Sequence, residues 1–129
     1  MSPTITALYA GLFGILYIVL CGFVVAHRRR ARIGLGLGSD TGLERAVRVH
    51  GNFAEYVPLF LVLLLLAELG GAAAWLLHIV GAVVFLARIA HAYGLSQSSG
   101  TSSGRFMGTL ATWVSILVLA LVNIWLALS

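Results

Sequence analysis

The sequence predicts an all-α membrane protein, a single bundle of four transmembrane helices. Three observations lead there. The chain has 129 residues, 60% of them hydrophobic and only 9% charged, too few charges to cover a water-facing surface. Its apolar residues gather into four stretches, each near the ~20 residues that carry a helix across ~30 Å of hydrocarbon. All eight Lys/Arg positions are arginine, and six of them lie between residues 28 and 48, beside the first apolar stretch. The length suits one domain, residues 1–129, rather than two.

The first helix is expected over residues 5–26. The residues before it lack the basic segment of a cleavable signal, and positive charge follows the helix instead. Cys21, inside this stretch, is the lone cysteine, so neither an intramolecular disulfide nor a thiolate metal site can form. An arginine- and glycine-rich connection is expected over 27–42. The second helix follows over 43–69, capped by Ser39, Asp40 or Thr41, with Glu44 in its first turn. Gly70-Gly71 form a tight turn into the third helix, 72–95. A polar Ser/Gly-rich connection over 96–104 leads to the fourth, 106–128.

Arginine placement sets the orientation. Arg28, Arg29, Arg30 and Arg32 mark the first connection and Arg105 ends the third, whereas the second has no basic residue. Basic loops stay in the cytoplasm, so both termini are expected on the non-cytoplasmic side. This clustering against a hydrophobic span also accounts for the net charge of +4 without nucleic-acid binding.

The candidate site lies on the second helix. At ~100° per residue, Glu44, Arg45, Arg48, Asn52 and Glu55 fall within an arc of about 100°. A wet helix start explains Glu44 and Arg45, whose side chains can reach water. It does not explain Glu55, about 10 Å beyond Arg48 along the axis and followed by a hydrophobic run. A carboxylate there faces a bundle interior or a wet cavity and has a partner. Pro58 reads as a tolerated interruption. On the third helix Arg88 and His91, spaced i,i+3, share a face. Arg88 also requires a partner, and Glu55 is the expected one.

The run Glu44-Arg45-Ala46-Val47-Arg48-Val49-His50-Gly51-Asn52-Phe53-Ala54-Glu55 resembles the helix 2 signature of the MAPEG family, membrane-associated proteins of eicosanoid and glutathione metabolism. Ala87-Arg88-Ile89-Ala90-His91 resembles the family's Arg-x-x-His on helix 3. Length, four spans and the long first connection agree, and the likeness is greatest to the small bacterial branch. The resemblance implies a homotrimer in a bacterial inner membrane, with glutathione bound between subunits. It assigns Arg45, Arg48, Asn52, Glu55, Arg88 and His91 to glutathione binding. Arg105 matches the helix 4 arginine that stabilises the thiolate, which then attacks a hydrophobic small-molecule electrophile arriving from the lipid. Leu95, Phe106 and Thr109 stand where specialised eicosanoid enzymes carry tyrosine, serine and tyrosine, and Gly51 replaces a basic residue of some members. The implied activity is therefore a glutathione transferase or peroxidase, not prostaglandin or leukotriene synthesis. Two other readings compete: a non-catalytic scaffold that binds membrane lipids or a partner, and a small transporter with Glu55 as its proton site. The second is disfavoured by a first helix without charge.

Overall fold

A computed structural model describes residues 2–97, 100 and 102–129. The chain forms four helices, α1 (Thr4–Ala31), α2 (Thr41–Leu69), α3 (Ala74–Gln97) and α4 (Ser103–Leu128). Each is long and apolar enough to cross a membrane, and the described residues contain no strand. Short connections make successive helices antiparallel. One end of the bundle therefore collects the arginine-rich connection and the start of α4, and the other collects the Gly70-Gly71 turn.

The helix ends differ from the expected ones for physical reasons. α1 runs through His27 to Ala31 instead of stopping at 26, because arginines in its last turn complement the negative end of the helix dipole. It closes at Arg32, in the left-handed conformation at φ 55°. The Arg28 guanidinium donates back to the Gly36 carbonyl at 3.0 Å, folding the shortened connection onto the helix end. Of the three candidate caps for α2, Asp40 is the one used. Its Oδ1 accepts from the Leu43 N–H at 2.6 Å, so the helix starts at Thr41 rather than 43. The helix continues unbroken through Pro58. α3 spans 74–97 rather than 72–95, since the turn at Gly71 (φ 86°) takes up the two residues that follow it. α4 begins at Ser103 rather than 106, with the Ser102 hydroxyl accepting from the Arg105 N–H at 3.3 Å. Of the polar connection expected over 96–104, Ser98, Ser99 and Thr101 lie outside the described residues.

The outer surface is apolar, as lipid contact requires: Ile15, Ile18, Leu86 and Phe106 are all exposed. Inside, Phe13 of α1 meets Phe53, Phe60 and Phe85 edge-on, with ring centroids 5.6–6.0 Å apart, joining three helices. α3 and α4 approach most closely of all. A Cβ on Gly108 would stand 2.5 Å from the Ala87 carbonyl oxygen, and one on Gly94 would stand 2.6 Å from the Ser102 hydroxyl. Gly104 and Gly108 thus act as a small-x-x-x-small packing face. Asn123 adds a polar tie inside the span, donating to the Leu63 carbonyl at 2.9 Å across α4 and α2.

Glu68 fastens the end opposite the arginines. Its buried carboxylate accepts from the backbone N–H groups of Ile5 at 2.8 Å and Thr6 at 2.7 Å. The last turn of α2 therefore caps the first turn of α1, where free donors and the positive dipole end favour an anion. Beside it, the Tyr9 hydroxyl donates to the His78 carbonyl at 2.8 Å, and the Tyr9 ring lies against Gly81. Glu68→Ala is expected to lower stability by about 1–3 kcal/mol, and Glu68→Gln, which keeps one acceptor oxygen, by less. Thermal unfolding in detergent, followed by circular dichroism, measures both. Equal loss in the two variants would contradict the capping role.

Candidate functional site

The centre of the site is a buried cation. Arg88, 2% exposed, sits among α2, α3 and α4. One terminal nitrogen donates to Asn52 Oδ1 at 2.6 Å and the other to the Gly108 carbonyl at 2.7 Å. The guanidinium carbon also lies 5.6 Å from the centre of the Tyr56 ring, and Tyr56 in turn meets Trp113 with centroids 6.4 Å apart. Sequence chemistry explains the local geometry. Glycine at 108 brings the α4 backbone close enough for its carbonyl to be reached, and Asn52 stands on the α2 flank that turns toward α3.

The expected Arg88–Glu55 pair is corrected by this arrangement. Asn52 is the partner that α2 supplies, while Glu55 is exposed on the single chain. The reason is angular. The core face of α2 is set by Val49, Phe53, Val57, Phe60 and Leu64. Asn52 lies nearer that face than Glu55 does, by about 60° at ~100° per residue.

The predicted site residues consequently separate into groups. Arg88, His91 and Asn52 belong to the interior contact, with His91 buried and its Cβ against Gly108. Arg48 and Glu55 are exposed on the outer face of α2, together with Glu44. Arg45 is half-buried, and its Nε donates to the Thr41 carbonyl at 3.3 Å. Arg105, also half-buried, makes a long 3.5 Å contact to the Gly100 carbonyl, and its backbone N–H lies against Gly94, one turn beyond His91 on α3. The structure therefore brings Arg105, His91, Arg88 and Asn52 into one neighbourhood at the α3–α4 junction. Arg48 and Glu55 are left pointing out of the chain.

Two contributors to the site were missed by the sequence reading, Tyr56 and the Gly108 carbonyl. Tyr56 follows Asn52 by one helical turn, and Gly104-x-x-x-Gly108 is a legible close-packing signal, so both had a signature. The departures Leu95 and Thr109 have local roles here. Leu95 is a core residue, and the Thr109 hydroxyl donates to the Arg105 carbonyl at 3.0 Å.

A family model described as MAPEG family matches residues 6–125. Inner membrane protein YecN of Escherichia coli strain K12 is 37% identical over 121 residues, covering 94% of this chain and 91% of the relative. The protein of the same name from Escherichia coli O6:H1 matches to the same extent.

Removing a partner of the buried guanidinium leaves a charge under-satisfied in an apolar setting. Asn52→Ala is expected to cost about 1–3 kcal/mol of stability. In a double-mutant cycle with Arg88→Met the two losses should be strongly non-additive. Additive losses in unfolding measurements would mean that the Arg88–Asn52 bond contributes little.

Proposed function

With the family model covering residues 6–125, this chain belongs to the MAPEG family, and on that premise we propose that it is a glutathione-dependent transferase or peroxidase of the inner membrane acting on lipophilic electrophiles. The observation that carries the reading is the outer face of α2. Arg48 and Glu55 are opposite charges set about 10 Å apart along a membrane-spanning helix, and both are exposed on one chain. A charge in that position needs a polar partner. A second and third copy of the chain, packed against this face as a homotrimer, would enclose it and leave room for a zwitterionic ligand.

The residue chemistry fits glutathione. Arg48 offers a planar fork for a carboxylate, and Glu55 offers an acceptor pair for the ammonium group. The NH2 donors of Asn52, whose oxygen is used by Arg88, remain for a peptide carbonyl. Glutathione supplies the nucleophilic sulfur. Arg105, at the start of α4, favours the anionic form of a thiol beside it, because a fixed cation lowers a thiol pKa from about 8.5. In transfer, sulfur forms a bond to an electrophilic carbon and the leaving group departs with the electron pair. The thiol proton passes to water. The apolar outer surface admits the second substrate from the bilayer.

The runner-up is a non-catalytic lipid- or partner-binding scaffold. It draws support from the bond between Arg88 and Asn52, which ties α3 to α2 without a ligand. The small-transporter reading has no such support.

Two measurements test the proposal. Purified protein mixed with glutathione near neutral pH should show ultraviolet thiolate absorbance in proportion to subunits, and Arg105→Ala should remove it while the assembly stays intact. No signal in a folded protein would move the weight to the scaffold reading. For orientation, a cysteine at Gly36 in a Cys21→Ala background should resist a membrane-impermeant maleimide in intact cells, whereas one at Gly71 should be labelled. The reverse pattern would invert the assigned topology.

A further inference from the structure

A cavity of about 500 Å³ opens between α1, α2 and α3 at the arginine-bearing end, away from the exposed α2 stripe. That volume lies within the range of small-molecule sites. Its walls are apolar: Leu16, Leu20 and Phe23 on α1, Val49 on α2, Ile89 on α3. Polar groups gather at its outer rim, where His27, Arg45 and Gln97 line it. Along α1 the lining runs from Leu16 to His27, about 16 Å at 1.5 Å per residue. That is about half of a ~30 Å hydrocarbon core, the depth of one leaflet.

The rim carries the Arg45 cation, and no carboxylate is hydrogen-bonded to it among the described residues. Arg45 spends its Nε on the Thr41 carbonyl, and its terminal nitrogens have no hydrogen bond among the described residues. A carbonyl can only accept, so His27 Nδ1 donates to Phe23 O at 2.8 Å, and Nε2 faces the rim as an acceptor rather than as a second donor. No carboxylate lines the cavity. The nearest carboxylate is Asp40, beside Gly42, whose Oδ1 caps α2 through the Leu43 N–H, and Glu44 is turned about 100° around α2 from Arg45.

We propose that this crevice binds one anionic amphiphile per chain, its acyl chain along Leu16, Leu20, Phe23 and Ile89 and its acidic headgroup on the terminal nitrogens of Arg45. A chain one leaflet long fills the apolar part, and the fork of Arg45 meets a carboxylate or phosphate at headgroup level. The site lies within a single subunit and shares only Arg45 with the residues that the resemblance assigns to glutathione, so the crevice-filling variants test it apart from the thiol reading. The same chemistry could come from a free long-chain carboxylate or from an acidic phospholipid.

The test reconstitutes the full protein in phosphatidylcholine nanodiscs and adds hexadecanoate, phosphatidylglycerol or, as the neutral control, hexadecanol. Native mass spectrometry then counts retained adducts. The expected result is one adduct per chain with hexadecanoate or phosphatidylglycerol and none with hexadecanol. Whichever of the two is retained identifies the source. Arg45→Gln should weaken retention about tenfold, the loss of one charge-assisted contact. Ala92→Phe and Ala46→Leu, which fill the crevice from α3 and α2, should abolish retention and leave the glutathione signal unchanged. Should either variant misfold, the other and Arg45→Gln still decide. Retention of hexadecanol equal to that of hexadecanoate, or adducts that survive the filling variants with helicity intact, would overturn the proposal.

Discussion

A guanidinium buried in an apolar bundle is the constraint around which this structure is organised. An arginine enclosed among hydrophobic helices is tolerated only where its donors find acceptors. Arg88 finds two, and each imposes a condition on a different helix. The Gly108 carbonyl is within reach because α4 has no side chain at that point and lies directly on α3. Asn52 Oδ1 is within reach because it occupies the inner flank of the α2 polar stripe. Tyr56 covers the cation with its ring one turn further on. Three helices are thus registered against one another by a single side chain, and the close α3–α4 contact follows from the same requirement.

That internal satisfaction gives meaning to what remains unsatisfied. Had Arg88 taken Glu55 as partner, the deepest charge of the α2 stripe would be enclosed within the chain. Because a neutral amide serves instead, Glu55 stands with Arg48 on an outward face. Within a span, such a face calls for another protein surface, a polar ligand or both. The proposed assembly and the proposed glutathione site answer one physical need, which is why they are argued together.

The four spans and the polar stripe were legible because they are properties of composition and of angle around one helix. The helix ends were legible only in part. The extension of α1 to Ala31 and the choice of Asp40 over Ser39 or Thr41 depend on caps that several neighbouring residues could have supplied. The Arg88 partner was misread because Asn52 and Glu55 belong to one stripe, and their difference appears only once the position of α3 is fixed. Glu68 was hardest to see. It ends a helix beside a glycine pair, where a carboxylate is unremarkable, and its partners are backbone N–H groups some sixty residues earlier that leave no trace in side-chain identity.

The two ends of the bundle are built to different standards. At the turn end, Glu68 caps α1, Tyr9 bonds the His78 carbonyl, and its ring packs against Gly81 where a β-carbon would collide. α1 is held tightly to α2 and α3 there. Toward the arginine end the same helices separate, and a cavity opens between Leu20 and Ile89 where the first turns allowed no gap. A helix pinned at one end and spread from its neighbours at the other forms a wedge, and the wedge opens where the cations are. The exposed α2 charges, Arg105 and the crevice rim all lie toward that end. Close packing at the far end fixes the register of the three helices while the arginine end stays open, and both proposed ligand sites fall toward that open end.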